Sequence, residues 1–477
     1  MKMAVTGDQT RRWWILISIG IFAFMSNLDA SIVNIAMPVM ARQMSLPMNQ
    51  IEWVVSTYLI VLSALLLLFG KLGDLYGKIN VFRLGTVVFV LGSFLAGLQW
   101  TFNFLLVARV VQAIGAAMTL SNTYGITTAT FAVNQRGKAM GLIGTFVAFG
   151  AVAGPGIGGL VLSHLSWGYI FWINVPLGIA AIILGQFVLP KSVPTAMHQP
   201  IDWFGFVSFA TMIVSFFLAI FWGQEVGYIA PLPGVGYVIA GIALINFIHV
   251  EKRFEAPLLP LSIFKIKPFS YGIGAAVLIF IANFFTVILL PFYLEDVRGL
   301  SAGQAGGLLV IFPIVMMIIG PIGGVLADRY QPAKIATLGL SLVALSQLGY
   351  WLMTSTSSLL VYGVVTVVMA VGTGLFQSPN SDVVMSVVSR DQLGSAGSIN
   401  ALARNIGMVS GTALSTSLLF GVMSVLAHHK VTTYLPAEPQ LFITGMHVAF
   451  TFSFGLILIA IVMSLRQGNL ATQPFDN

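Results

Sequence analysis

Two segments decide how this sequence folds: Gly70-Lys-Leu-Gly-Asp74-Leu-Tyr-Gly77-Lys78 and Gly320-Pro-Ile-Gly-Gly-Val-Leu-Ala-Asp328-Arg329-Tyr330. Each is a glycine-bearing turn with an aspartate near its end, and each follows the second apolar run of a series. Counting back from the two turns sorts the apolar runs into two sets of six with a pair between them. The implied organisation is an N-terminal six-helix bundle over 1–190, a linker and inserted helices over 191–268, and a C-terminal six-helix bundle over 269–477. Related halves suit alternating access, in which two similar bundles rock about a central site.

The apolar runs lie near 14–38, 51–69, 82–100, 104–130, 138–162, 168–189, 204–222, 233–250, 270–293, 305–326, 335–353, 358–380, 395–425 and 441–465. A hydrocarbon layer needs roughly 20 apolar residues per helical crossing, so fourteen crossings are expected. The 477 residues are 57% hydrophobic and 8% charged, an apolar surplus that one water-facing core could not bury. Continuous apolar runs, without period-two alternation, exclude a β-barrel. The expected fold class is therefore an all-α polytopic membrane protein whose obligatory partner is the lipid bilayer. The first run is expected to stay as helix 1, because Met37-Pro38 is followed by Arg42 where a signal peptide would place small residues. The 190–203 stretch is polar and proline-rich and reads as the link into the inserted pair; the longest outer loop, His428 to Pro439, is too short to fold alone.

A net charge of +7 in a soluble chain would suggest a nucleic acid partner; here the distribution of the basic residues carries the information. Lys2, Arg11, Arg12, Lys71, Lys78, Arg83, Arg136, Lys138, Lys191, Lys252, Arg253, Lys265, Lys267, Arg329, Lys334, Arg390 and Arg466 fall on one side, against Arg42, Arg298 and Lys430 on the other. The positive-inside rule then places both termini in the cytoplasm and requires an even number of crossings. Arg109 and Arg404 are left within helices. The absence of cysteine removes disulfides, thiolate metal sites and thiol catalysis. No nucleotide loop, His-Glu-x-x-His or Gly-x-Ser-x-Gly motif supports an enzyme, and no soluble domain could relay a signal. No metal or organic cofactor is expected. The duplicated turn argues against a fixed channel, since it implies two exchanging conformations.

Around Asp74 and Asp328 the chemistry is that of a latch. Glycines let helix ends approach, and an aspartate accepts hydrogen bonds at the positive start of a neighbouring helix. Gly70, Asp74, Gly77, Lys78, Asp328 and Arg329 are its candidate residues. A plain tight loop is the alternative for a single copy; the repeat favours the latch.

The run Gly150-Ala-Val-Ala-Gly154-Pro155-Gly156-Ile-Gly158-Gly159 puts Gly150, Gly154 and Gly158 four apart on one face. Close helix packing follows, and Pro155 removes a backbone hydrogen bond and is expected to kink the segment. In the first apolar run, Leu28-Asp29-Ala-Ser-Ile-Val-Asn34 carries a carboxylate that costs about 2.5 to 3.5 kcal/mol to insert on translocon scales, which makes it a functional candidate. It could exchange a proton for a cationic substrate, or simply fix helix 1 by hydrogen bonds. Arg109 and Gln112 share a helix face at i, i+3; a buried Arg109 needs an anion, for which Asp29 is available, whereas an Arg109 near the helix end would snorkel.

These motifs together resemble the major facilitator superfamily. Gly70, Leu72, Asp74, Gly77 and Lys78 match its loop between helices 2 and 3, with Leu75 and Ile79 in place of basic residues, and the helix 5 run is similar to the signature of its exporters. Leu28-Asp29-x-Ser-Ile-Val-Asn34 resembles the helix 1 signature of its fourteen-span drug:proton antiporters. Arg109-x-x-Gln112-Ala-x-Gly115 resembles the motif credited there with proton coupling, Ala113 replacing a glycine. Trp167 to Gly178, Asp202-Trp203-Phe-Gly205, Phe376 to Asn380 and Arg404-Asn405-Ile-Gly407 extend the match over nearly the whole chain.

The resemblance implies a monomer in a bacterial cytoplasmic membrane, exporting hydrophobic or amphipathic small molecules, cationic ones included, against protons. Asp29, Asn34, Arg109 and Gln112 would form the coupling and substrate site. A dedicated exporter of a metabolite, organic acid or lipid is the other reading. Acidic residues that polyspecific members carry in helices 10 or 13 are missing from 305–326 and 395–426, so a dicationic drug would lack its second counter-ion. Trp53, Tyr58, Asn283, Phe284, Phe312, Gln377 and Asn380 are candidates to line a cavity. Asp382 reads as a helix cap ahead of a coupling group, and His447 as a packing residue ahead of a titrating one.

Overall fold

A computed structural model describes residues 9–46, 48–191, 199–228, 230–389, 392–429, 431, 434–435 and 438–471. Lys2, Arg390 and Lys430 of the charge census, the middle of the 190–203 linker and parts of the His428 to Pro439 loop lie outside the described residues. Fourteen long helices run in sequence among the described residues: α1 Gln9–Met44, α2 Trp53–Tyr76, α3 Lys78–Ala96, α4 Phe102–Thr130, α5 Val133–His164, α6 Asn174–Val188, α7 Trp203–Val226, α8 Pro231–Glu251, α9 Lys267–Phe292, α10 Ile311–Arg329, α11 Pro332–Trp351, α12 Leu359–Ser386, α13 Leu393–Ala427 and α14 Pro439–Ala471. Twelve are long and apolar enough to cross a membrane; α5 and α11 fall outside that set.

Backbone groups in hydrocarbon must be satisfied within the segment, which is why apolar runs become helices here. Some of their starts carry polar caps. Thr101 accepts from the Phe104 amide, Asp202 from that of Gly205, and Ser301 forms a capping box with Gln304. Two runs are broken where proline withdraws a donor. Pro313 cannot bond the carbonyl of Leu309, and the chain breaks between Ala302–Leu309 and α10. Pro176 likewise deprives Trp172, and the short helix Tyr169–Trp172 ends before α6 begins at Asn174.

The outward faces are apolar. Leu84, Val87, Leu91 and Phe94 form an exposed stripe along α3, and Val235, Ile239, Ile242 and Ile245 another on α8. Such stripes at helical spacing belong against lipid.

Internal packing repeats with an offset of eight helices. In the first set α1 packs on α5 and α6, α4 on α2 and α3, and α3 on α6. The second set shows the same partnerships, α9 on α13 and α14, α12 on α10 and α11, and α11 on α14. The sets meet through α5 against α10 and α12, and through α13 against α2 and α4, which are again equivalent pairs. The pair α7 and α8 pack on each other, and α7 reaches α2 and α13.

Candidate functional site

Asp29 projects from the middle of α1 into the interior of the first helix set and has no exposed surface. Arg109 of α4, equally buried, donates from Nη1 to Asp29 Oδ2 at 2.7 Å and from Nε to the Val54 carbonyl at 2.9 Å. The other carboxylate oxygen accepts from Gln112 Nε2 at 2.9 Å and from Asn174 Nδ2 at 3.0 Å. Gln112 also accepts from Arg109 and donates to Ser93 Oγ at 2.8 Å. The guanidinium lies 4.4 Å from the Tyr58 ring centroid and 5.6 Å from that of Phe171. Five helices therefore converge on one ion pair.

Charge-assisted bonds of this kind are roughly twice as strong as neutral ones, and the buried pair is neutral as a unit. Protonating Asp29 would break that neutrality, leaving Arg109 charged among aromatic rings. The pair has no surface for a bound substrate, because Arg109, Gln112 and Asn174 already occupy the carboxylate.

Asn34 stands apart from this group. Five residues along a helix rotate by about 140°, which carries its side chain from the interior to an exposed position. Asn174 and Ser93 were not singled out in the sequence. Asn174 lies in the segment around Trp167 to Gly178, but nothing in its spacing points at Asp29; the break before α6 aims it there.

The two turns reach across between the helix sets in equivalent ways. Asp328 accepts from the backbone amides of Gly137 and Lys138, both at 2.9 Å, in the first turns of α5. Asp74 hydrogen-bonds the amide of Gly394 at the start of α13 and pairs with Lys78. Ser378 Oγ donates to the Gly137 carbonyl at 2.9 Å. Added side chains at Gly137, Gly141 and Gly324 would collide with backbone across the boundary. All these contacts lie on the face that carries Lys78, Arg83, Lys138, Arg329 and Lys334, so the chain is closed at its basic face.

Toward the other face α5 turns its glycines to α1. A Cβ at Gly150 would strike the Phe24 carbonyl, one at Gly154 the Ser31 hydroxyl, and one at Gly158 would lie 2.9 Å from Ile32. Gly159 meets nothing and is exposed, so it does not belong to the packing face. The helix is continuous through position 155; the Pro155 side chain lies outside the described residues.

A narrow cavity lies between the sets, lined by Tyr124 of α4, Met140 and Val147 of α5, Met316 of α10, Gln377 of α12 and Arg404 of α13, among others. Of the seven residues expected to line it, Gln377 does. Tyr58 is buried on Arg109, and Asn380 is buried and bonds the Gly272 carbonyl at 3.1 Å. Asn283 is buried and accepts from Thr373 at 3.3 Å. Trp53 packs near Phe217, Phe284 against Gly411, and Phe312 beside Met316. Helical periodicity cannot say which of several apolar faces turns to a partner bundle. Asp382 is buried within α12, with Oδ1 lacking a partner. His447 Nε2 lies 2.9 Å from the Met353 carbonyl, with its ring beside Trp351.

The Major Facilitator Superfamily model matches residues 19–412. The riboflavin transporter RibZ of Clostridioides difficile strain 630 is 35% identical over 460 residues, covering 95% of this chain and 98% of that protein. The multidrug transporter protein MdtP of Bacillus subtilis strain 168 is 28% identical, covering 92% and 81%. Among solved structures, that of the human organic anion transporter MFSD10 superposes with a TM-score of 0.65 at 14% identity, over 96% of this chain and all of that one. At that identity the likeness speaks for the fold alone.

Proposed function

Since the chain belongs to the major facilitator superfamily, a family of membrane transporters and not of enzymes, we propose that it exports hydrophobic or amphipathic small molecules across a bacterial cytoplasmic membrane in exchange for protons. The observation that carries this reading is the buried Asp29 and Arg109 pair, in the helix set whose α1 rests on the glycine face of α5. The name of the multidrug relative agrees with it.

In this reading the chain crosses the membrane fourteen times. The two helices outside the apolar set, α5 and α11, pack between neighbours that are long and apolar enough to cross. The basic face is cytoplasmic, so the conformation described is closed to the cytoplasm. A proton arriving from outside binds a carboxylate oxygen of Asp29 and removes its charge. Arg109 then loses the anion it pairs with and α1 and α4 shift; the latches at Asp74 and Asp328 release, and the cavity opens inward. Substrate binding and loss of the proton to the cytoplasm restore the pair and the closed latches. The protein works as a monomer, with the proton as coupling ion and no other cofactor.

Proteoliposomes holding an internal pH dye test this directly. With no imposed gradient, substrate should trigger proton movement in the wild type and none in Asp29→Asn. Substrate flux without protons, or normal coupling in Asp29→Asn, would reject the assignment.

A dedicated metabolite exporter of the same fold is the second reading, prompted by the riboflavin transporter among the relatives. Growth of a deletion strain across a drug panel separates the two: broad sensitisation favours efflux, and accumulation of one metabolite favours the dedicated carrier.

A further inference from the structure

The membrane interior holds two arginines on the central helices, and their surroundings differ. Arg109 has a carboxylate. Arg404, about a third of the way along α13, has an amide: its Nη2 donates to Asn27 Oδ1 of α1 at 2.8 Å. Asn27 is held in place by its own amide, which bonds the Ala23 carbonyl at 2.8 Å. Neither the Asp74–Lys78 nor the Asp29–Arg109 ion pair involves Arg404, and among the described residues no carboxylate pairs with it.

One neutral acceptor does not cancel a charge that is costly to place in a bilayer. The Phe280 ring, 5.9 Å from the guanidinium carbon, adds only a weak cation–π contact. Arg404 is partly exposed, and the surface it shows lines the cavity between the helix sets. The other polar lining groups are Tyr124, Gln377, Ser378 and Ser381, all neutral. Met140, Ile143, Val147 and Met316 supply apolar wall, and Gly144 faces open space. The cavity thus offers a single planar cation in an apolar slot.

We infer that the cargo is an amphipathic organic anion, an apolar body bearing a carboxylate or comparable acidic oxygen that Arg404 binds with its planar fork. Guanidinium geometry favours two parallel hydrogen bonds to such a group. A cationic cargo would face Arg404 with no acid in the cavity to receive it. This rests on reading the cleft between the sets as the transport path, and it narrows the cargo class that path accepts.

The test uses two xanthene dyes of opposite charge, fluorescein and rhodamine 6G, binding to the full chain in nanodiscs, with empty nanodiscs as blank. The wild type should bind fluorescein at least tenfold more tightly than rhodamine 6G. Arg404→Gln should lose that preference, and Arg404→Lys, which keeps the charge without the fork, should retain part of it. Asn27→Ala, which removes the protein partner and leaves the charge, should keep or strengthen it. Equal or tighter binding of rhodamine 6G by the wild type overturns the inference. So does an equal loss of both dyes in Arg404→Gln, which would make Arg404 a tie between helix sets only. Binding is read without a proton gradient. Failed coupling in proteoliposomes would therefore remove the antiport reading and leave this one standing, and a failed dye preference would do the reverse.

Discussion

Asp328 accepts the backbone amide of Gly137 at 2.9 Å across the boundary between the two helix sets, and Asp74 makes the equivalent contact with Gly394. Each carboxylate sits at the start of the fifth helix of the opposite set, where the helix dipole is positive. The duplicated turn is thus a duplicated closure.

Removing one closure should open the basic face. A hydrogen bond to a charged group contributes about 1.5 to 3 kcal/mol, and every 1.4 kcal/mol is about a tenfold change in an equilibrium. The chain has no cysteine, so Gln377→Cys places a single thiol in the cavity. Maleimide labelling from the basic face should rise about tenfold on adding Asp328→Ala, and further with Asp74→Ala. Unchanged labelling would mean that the glycine contacts alone hold the halves together.

The ion pair makes a sharper demand. Removing one member of a buried pair costs about 3 to 5 kcal/mol, because the other charge is left uncompensated. Arg109→Gln and Asp29→Asn should each lower the melting temperature, Arg109→Gln by stranding a carboxylate and Asp29→Asn by stranding a guanidinium. The double variant should melt above either single one. Strictly additive losses would show that the two residues do not interact as the geometry requires.

Along α5 the glycines should sort by what they face. Gly150→Ala drives a methyl into the Phe24 carbonyl, which cannot turn aside, so it should be the most damaging. Gly154→Ala meets the Ser31 hydroxyl, a movable group, and should cost less. Gly156 and Gly159 face open space, where alanine gains about 1 kcal/mol of helix propensity. Gly156→Ala and Gly159→Ala should hold or raise the melting temperature. A flat response across the four positions would refute the packing face.

At the start of α7, Asp202 Oδ2 and Glu251 Oε1 both converge on Gly205 and neither has a hydrogen-bond partner. Their other oxygens accept from the Gly205 amide at 2.7 Å and the Leu259 amide at 3.1 Å. Two buried carboxyl groups so placed lack a donor between them. Glu251→Gln supplies one and should stabilise the protein by about 1 kcal/mol, seen as a higher melting temperature. A lower melting temperature would mean that a shared proton already fills that role.

Sequence and structure divide this protein along a physical line. Lipid imposes a local rule, in which each crossing satisfies its own backbone and shows apolar side chains outward. Helix number, the all-α class and the near-symmetry announced at Gly70 and Gly320 were therefore legible from apolar run lengths and turn residues. The exceptional residues were legible too, since Asp29, Arg109 and Arg404 violate that rule. What each of them touches was not. Asn174 reaches Asp29 from the first position of α6, just after the break in the chain. Asn34 turns outward by helical rotation, and Tyr58 lies on Arg109 and not on the cavity. Arg404 faces the cavity with an amide where Arg109 has a carboxylate. Those outcomes depend on how one helix is rotated against four or five others, a long-range packing choice that no local run of residues encodes.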